Sequence, residues 1–234
     1  MPRADYGRDL AVIHDAGFGD FARSAAPGLI SLLHRAGIRR GRVVELGCGS
    51  GAATACLARA GYAVHGLDAS REMIRLARRR VRSARFRVGR LPDAELPSCD
   101  AVVAVGEVLN YLPRRADFDA SFRRVFAALR SGGLFIFDAK QPGRGGAGTT
   151  RGRAGKDWAV LATSTERGDG KLTREIVSFR RVGAAYRRSD ETHRLTLLSV
   201  ADLSRRLRAA GFSVRAHRAA FLPPGHLMIA ARRR

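Results

Sequence analysis

The segment Val43-Val44-Glu45-Leu46-Gly47-Cys48-Gly49-Ser50-Gly51 puts three glycines where an apolar run gives way to an alanine-rich one. Glycines at such a strand-to-helix turn permit a sharp bend and let a ligand come close to the backbone. The helix that follows offers unpaired N–H groups to polar ligand atoms. Asp68 closes the next apolar run, 21 residues after Gly47, a spacing that suits a carboxylate accepting both hydroxyls of a ribose. A tight turn followed by a helix-capping Asp is the plain structural alternative. The strand, the turn, the helix and the acid coincide, and together they favour a nucleoside site. A second pair with chemical potential is Glu191 and His193, two residues apart. On a strand both face one side, so the acid can orient an imidazole base.

These residues need a scaffold, and short apolar runs alternate with amphipathic stretches to supply one. Residues 42–46, 63–67, 86–88, 101–105 and 134–137 read as strands; 52–60, 70–80 and 118–129 read as helices. The strands 101–105 and 134–137 are apolar on both sides, as a parallel sheet covered by helices on two faces requires. The order predicts an α/β, doubly wound seven-strand sheet with an antiparallel insertion after the fifth strand. The insertion spans 140–198 in a domain of 41–234. Residues 143–155, rich in Gly, Arg and Thr, read as a mobile loop, and 158–166, 172–180 and 186–198 as three strands. A helix from Ser199 and strands 212–216 and 226–231 close the domain, and Arg232 to Arg234 read as a solvated tail. The first 40 residues read as a helical segment, with Pro27 opening one helix.

Which nucleoside is left open by the glycines alone. Gly47-x-Gly49-x-x-Ala52 also fits the dinucleotide fingerprint. The run Glu45 to Gly51, however, resembles motif I of the class I, seven-strand, Rossmann-like S-adenosylmethionine (SAM)-dependent methyltransferases. The resemblance covers nearly the whole chain, and its specific part is residues 43–138. It implies methyl transfer from the cofactor SAM. It also implies that Glu45, Gly47, Cys48, Gly49 and Gly51 surround the methionine half of SAM, and that Asp68 with Ala69 holds the ribose. Arg90 and Leu91 flank the adenine, and Gly106 and Glu107 run beneath the sulfonium. Many members carry an acid where Arg90 stands; an arginine has no acceptor for the adenine amino group. By the same resemblance the N-terminal segment 1–40 is a lid, with His14 and Phe18 at the acceptor. Asn110, Tyr111, Tyr186, Glu191 and His193 then line the acceptor pocket, with His193 and Tyr111 as the catalytic candidates. An enclosed pocket implies a small-molecule acceptor, with an O, N or S atom receiving the methyl group. An RNA- or protein-directed methyltransferase, or a binding module of that shape, is the alternative; a nicotinamide oxidoreductase is a third reading.

Composition tests that alternative. The formal net charge is +22, which ordinarily marks a nucleic-acid binder. Of 43 lysines and arginines, only Lys140, Lys156 and Lys171 are lysine, and the arginines are spread along the chain without interleaved aromatics. That skew reads as coding bias on solvated faces, and nucleic acid is not expected as a partner. No signal-like or membrane-spanning apolar run occurs. Cys48, Cys56 and Cys99 have neither metal-ligand spacing nor disulfide arithmetic, so no metal and a cytoplasmic location are expected. Any RNA binding is therefore expected to fall steeply between about 50 and 200 mM salt. A filter-binding titration that finds one tight, salt-resistant RNA complex overturns the small-molecule reading.

Overall fold

The computed structural model describes residues 6–143, 146–217 and 222–234. Helix α1 (Arg8–Arg35) precedes β1 (Gly41–Leu46), α2 (Ala52–Arg59), β2 (Tyr62–Asp68), α3 (Arg71–Arg80), β3 (Arg85–Val88) and β4 (Cys99–Ala104). A 3-10 turn (Val108–Tyr111) leads to α4 (Arg115–Ala128) and β5 (Leu129–Lys140). An antiparallel sheet follows: β6 (Gly146–Gly155), β7 (Trp158–Arg167), β8 (Lys171–Val182) and β9 (Ala185–Thr196). The chain ends with α5 (Val200–Ala209), β10 (Phe212–His217) and β11 (His226–Arg233). The main sheet has seven strands in the order β10-β11-β5-β4-β1-β2-β3. Strands β1 to β5 are parallel to their neighbours, and β11 is antiparallel to β5.

Alternation along each central strand feeds two cores. Val44, Val102, Phe135 and Phe137 pack with Phe118, Phe122, Leu203 and Leu207 of α4 and α5. Val43, Ala101, Val103 and Ile136 pack with Leu29, Leu33 and Leu57 of α1 and α2 on the opposite face. Two apolar faces per strand are why these runs lack a polar alternation. Strand order reverses between β1 and β4, and ligands of open α/β sheets bind beyond the carboxyl ends of the strands at such a switch point.

Three local expectations are corrected. Residues 146–155, expected as part of a mobile loop, form the strand β6 paired with β7; residues 144 and 145 lie outside the described residues. Glycine permits this pairing at the turn, because a Cβ on Gly155 would stand 2.6 Å from the Trp158 indole nitrogen. Pro27 does not open a helix but lies inside α1, which runs unbroken from Arg8. The C-terminal arginines are not a free tail: Arg232 pairs with Leu134, and Arg233 donates to the Phe126 carbonyl at 2.7 Å while stacking on the Phe126 ring.

Helix α1 joins the two sheets through charge. The Asp9 carboxylate, buried, accepts from Arg187 Nη2 at 2.7 Å and Arg180 Nη1 at 3.0 Å, both on the antiparallel sheet. Asp15 pairs with Arg80 at the end of α3 at 2.7 Å and accepts from the Ser50 hydroxyl. Hydrogen bonding from Arg187, then Arg180, outweighs burial and lowers the Asp9 pKa from 3.8 to about 2. A depressed carboxylate pKa stabilises the fold above the unfolded value, and that contribution disappears as pH falls through the folded one. Asp9→Ala is expected to cost about 1–3 kcal/mol at neutral pH. The gap in Tm between variant and wild type should close as pH falls from about 4 to about 2. Thermal melts across that window check it, and a gap independent of pH refutes the clasp.

Candidate active site

The carboxyl edge of the sheet opens into a cavity of ≈ 940 Å³, bounded by the β1 loop, the turn after β4, one face of α1 and the inner face of the antiparallel sheet. Small-molecule sites span about 300–1,000 Å³, so this one has room for a nucleoside and a second ligand. In the first half, Gly47 (φ +62), Gly49 (φ +52) and Gly51 (φ +80) carry the turn from β1 into α2. A Cβ on Gly47 would overlap Val108 at 2.5 Å, whereas a Cβ on Gly49 would meet no protein atom within 4 Å. Gly49 lines the cavity, so its bare backbone is open to a ligand. Asp68, at the end of β2, accepts from the Gly49 N–H at 2.9 Å and the Ser70 N–H at 2.8 Å. Burial raises its pKa against those hydrogen bonds, which favours a further donor to the carboxylate. Glu45 is buried, accepts from the Thr54 hydroxyl, and is raised to about 7, chiefly by burial. Cys48, Ala69, Arg90 and Leu91 also line this half; Gly51 turns the chain and does not. The arrangement passes a physical test for SAM: a close-approach glycine, an acid two hydrogen bonds short of saturation, and a neighbouring carboxyl for a cationic amine.

The second half is built around two histidine–carboxylate pairs. His193 on β9 is fully buried; its Nε2 lies 3.1 Å from Glu191 Oε2 and its Nδ1 lies 3.0 Å from the Tyr111 hydroxyl. Glu191 also accepts from the N–H groups of Tyr6 and Gly7, both at 2.8 Å. Burial works against its charge, but hydrogen bonds from His193, Gly7 and Tyr6 outweigh it and lower its pKa. A carboxylate facing Nε2 assigns the proton to Nε2, so a neutral ring accepts from the phenol at Nδ1. Burial pushes the Tyr111 phenol well up and that of Tyr6 to about 12, so both stay neutral donors at neutral pH. The second pair is His226 and Asp138. Asp138, fully buried at the end of β5, accepts from the Gly106 N–H at 2.7 Å and the Glu107 N–H at 3.1 Å, and lies 3.1 Å from His226 Nδ1. That carboxylate holds the left-handed turn at Gly106 (φ +96) and Glu107 (φ +55), an unusual conformation for a non-glycine residue. Glu107 in turn binds Arg174 of β8 at 2.6 Å.

The structure gathers some expected acceptor residues and disperses others. His14, Phe18 and Tyr111 line the cavity with Gly106 and Glu107. Leu10, His14 and Phe18 recur every fourth residue as one stripe at the start of α1, and Tyr6, just before the helix, lines the cavity with them. His14 stacks on Phe18, and burial lowers its pKa to about 4, keeping the ring neutral. Asn110 does not line the cavity. Its amide donates to the carbonyls of Thr196 and Lys140 and accepts from the Lys140 N–H, tying the 3-10 turn to β5 and β9. Tyr186 sits near the β8–β9 hairpin, 56% exposed and outside the cavity lining, because the hairpin reaches beyond the site. Glu191 and His193 stand behind Tyr111 rather than at the cavity wall. Sequence reasoning passed over Tyr6, Arg174, Asp138 and His226. The antiparallel setting of β11, which returns His226 to the ligand edge, has no local signal.

Comparison with known proteins agrees with this geometry. Residues 43–133 match the methyltransferase domain family. The chain is 29% identical over 237 residues to dTDP-3-amino-3,6-dideoxy-alpha-D-glucopyranose N,N-dimethyltransferase of Streptomyces fradiae, covering 96% of this chain and 89% of that protein. In fold it is similar to SAM-bound CalS10, an amino pentose methyltransferase from Micromonospora echinaspora, at TM-score 0.80, 23% identity and coverage of 99% and 100%. It is also similar to DhpI in a complex with SAM, at TM-score 0.60, 25% identity and coverage of 96% and 93%.

Asp68→Ala is expected to raise the Kd for SAM by roughly 10- to 100-fold, the loss of a charged acceptor contributing about 1.5–3 kcal/mol. Calorimetry with unchanged affinity would sink the ribose assignment. The methyltransferase domain matched over residues 43–133 lies within the seven-strand fold described above, and the chain is similar along nearly its whole length to SAM-dependent methyltransferases.

Proposed function

We propose that the chain N-methylates an amino sugar carried on a nucleoside diphosphate. The observation that carries this reading is the likeness to the Streptomyces fradiae dimethyltransferase across 96% of the chain, antiparallel sheet and α1 included. The cavity adds chemical support. Arg151 and Arg153 of β6 and Lys140 of β5 line it, a cationic rim suited to phosphates. Apolar Leu172, Ile176 and Val160 face a sugar's carbon skeleton. Enclosure between α1 and the antiparallel sheet supports a small-molecule acceptor. The free Cys48, Cys56 and Cys99 fit a cytoplasmic setting.

When bound, SAM supplies an already activated methyl group, which a nitrogen lone pair captures as the carbon–sulfur bond breaks. What remains for the protein is placement and exclusion of water. Tyr111, which lines the cavity and holds its proton toward His193 Nδ1, is the residue proposed to touch the acceptor. His193 is a positioning residue in this reading, because both ring nitrogens are engaged and the ring is fully buried. Asp68, Glu45 and the 47–51 loop hold the cofactor; α1 closes over both ligands.

Incubation with SAM and dTDP-3-amino-3,6-dideoxy-α-D-glucopyranose is expected to add one or two methyl groups to the amine, read by mass spectrometry. His193→Ala should raise KM and lower kcat by about 10-fold, less than the loss of a direct base, which is about 10²-fold or more. An amine left untouched while an O- or S-nucleophile is methylated would refute the amino-sugar reading.

A further inference from the structure

We propose that His226, oriented by Asp138, takes the proton that an amine acceptor must lose; this rests on the amine reading above. The argument begins with topology. Strand β11 runs antiparallel to β5 and pairs His226 with Lys140, so the first residue of β11 lies at the carboxyl edge where the parallel strands end. His226 lines the cavity. Its Nδ1 faces the fully buried Asp138 carboxylate at 3.1 Å, and a carboxylate there requires a donor. The proton of a neutral ring therefore sits on Nδ1, which leaves Nε2 with a free lone pair.

The surroundings of Nε2 favour proton capture. The nearest carboxylate oxygen, Glu107 Oε2 in the turn after β4, is 3.8 Å away, beyond hydrogen-bond reach. The other oxygen of Glu107 is engaged by Arg174 of β8 at 2.6 Å. An imidazolium at 226 thus faces Asp138 on one side and Glu107 on the other. Opposing them are Lys140, its partner on β5, and Arg174, whose charge Glu107 already neutralises. His193 has no such free nitrogen, since Tyr111 and Glu191 occupy both. His14 also lines the cavity with Nδ1 unpartnered, but burial lowers its pKa to about 4 and no carboxylate orients it; His226 is the cavity histidine whose other nitrogen is held by a carboxylate.

The step balances simply. Methylation of an uncharged amine leaves a cationic nitrogen bearing N–H. The lone pair of His226 Nε2 forms a bond to that hydrogen, and the N–H electron pair returns to the acceptor nitrogen. The amine regains the lone pair that a second methylation requires, and the proton leaves on His226.

The test compares wild type and His226→Ala with SAM and dTDP-3-amino-3,6-dideoxy-α-D-glucopyranose across pH. We expect kcat to fall about 10²-fold or more, KM and calorimetric S-adenosylhomocysteine affinity to hold, and the acidic limb of the kcat profile to disappear. In wild type that limb descends as pH falls, because the protonated ring cannot accept. Added imidazole should restore turnover to His226→Ala, which a merely structural role would not allow. A near-normal kcat with the limb intact overturns the proposal, as does failure of rescue in a folded variant that binds S-adenosylhomocysteine normally. If wild type leaves the sugar unmethylated, the sugar reading fails separately. His226 is then judged by ¹⁵N NMR of the imidazoles in protein saturated with S-adenosylhomocysteine. A ring with bare Nε2 at neutral pH supports the assignment; a ring protonated at Nε2 there overturns it.

Discussion

One buried carboxylate ties the reactive edge together. Asp138 ends β5 with no exposure to solvent, so both its oxygens must find donors inside the protein. It finds them on two other strands' extensions: the Gly106 and Glu107 N–H groups beyond β4, and His226 at the start of β11. The left-handed backbone at Glu107 is stable only because this anion gathers its N–H. Through Glu107 the constraint reaches Arg174, and so the second sheet. An uncharged isostere keeps a single acceptor oxygen, enough for the Gly106 and Glu107 N–H groups but not for a donor at His226 Nδ1 as well.

The second unifying element is α1. It takes part in the core through Leu29 and Leu33, yet its first turns reach the antiparallel sheet through Asp9 and the Glu191 carboxylate. A single helix therefore belongs to the sheet at one end and to the cavity at the other. Ion pairs suit that task, because their strength depends on geometry and on water. Hydrophobic packing fixes the C-terminal half; at the N-terminal half charge adds to the contacts of Leu10 and Ile13 with Val160 and Ile176.

Much of this was legible in the sequence, for identifiable reasons. The two-faced apolar strands at 101–105 and 134–137 demanded cover on both sides, and α1, α2, α4 and α5 supply it. The glycines signalled a tight strand-to-helix turn through backbone conformation, which is a local property, and Asp68 meets that turn at the Gly49 N–H. Glu191 and His193 were paired by strand periodicity alone, and they do meet at 3.1 Å. What escaped notice depended on distant placement. The Gly- and Arg-rich run 146–155 carries no β-propensity, and becomes a strand only because β7 offers it a hydrogen-bonding edge. Tyr186 looked like a pocket residue until the length of the β8–β9 hairpin carried it past the cavity. His226 and Asp138 are 88 residues apart, and no periodicity links them.

Among the described residues, the antiparallel sheet β6-β7-β8-β9 shares no strand pairing with the seven-strand sheet. Its inner face contributes Val160, Leu172 and Ile176 to the cavity, while Glu45, the 47–51 loop and Asp68 all belong to the other sheet. The two halves of the cavity wall are thus written on two separately hydrogen-bonded surfaces. A lineage can rewrite the second surface residue by residue and keep the first, because neither register nor core of the main sheet changes when β7 or β8 exchanges a side chain. The architecture thus lets one wall of the cavity vary while the sheet that carries the other wall keeps its register and core.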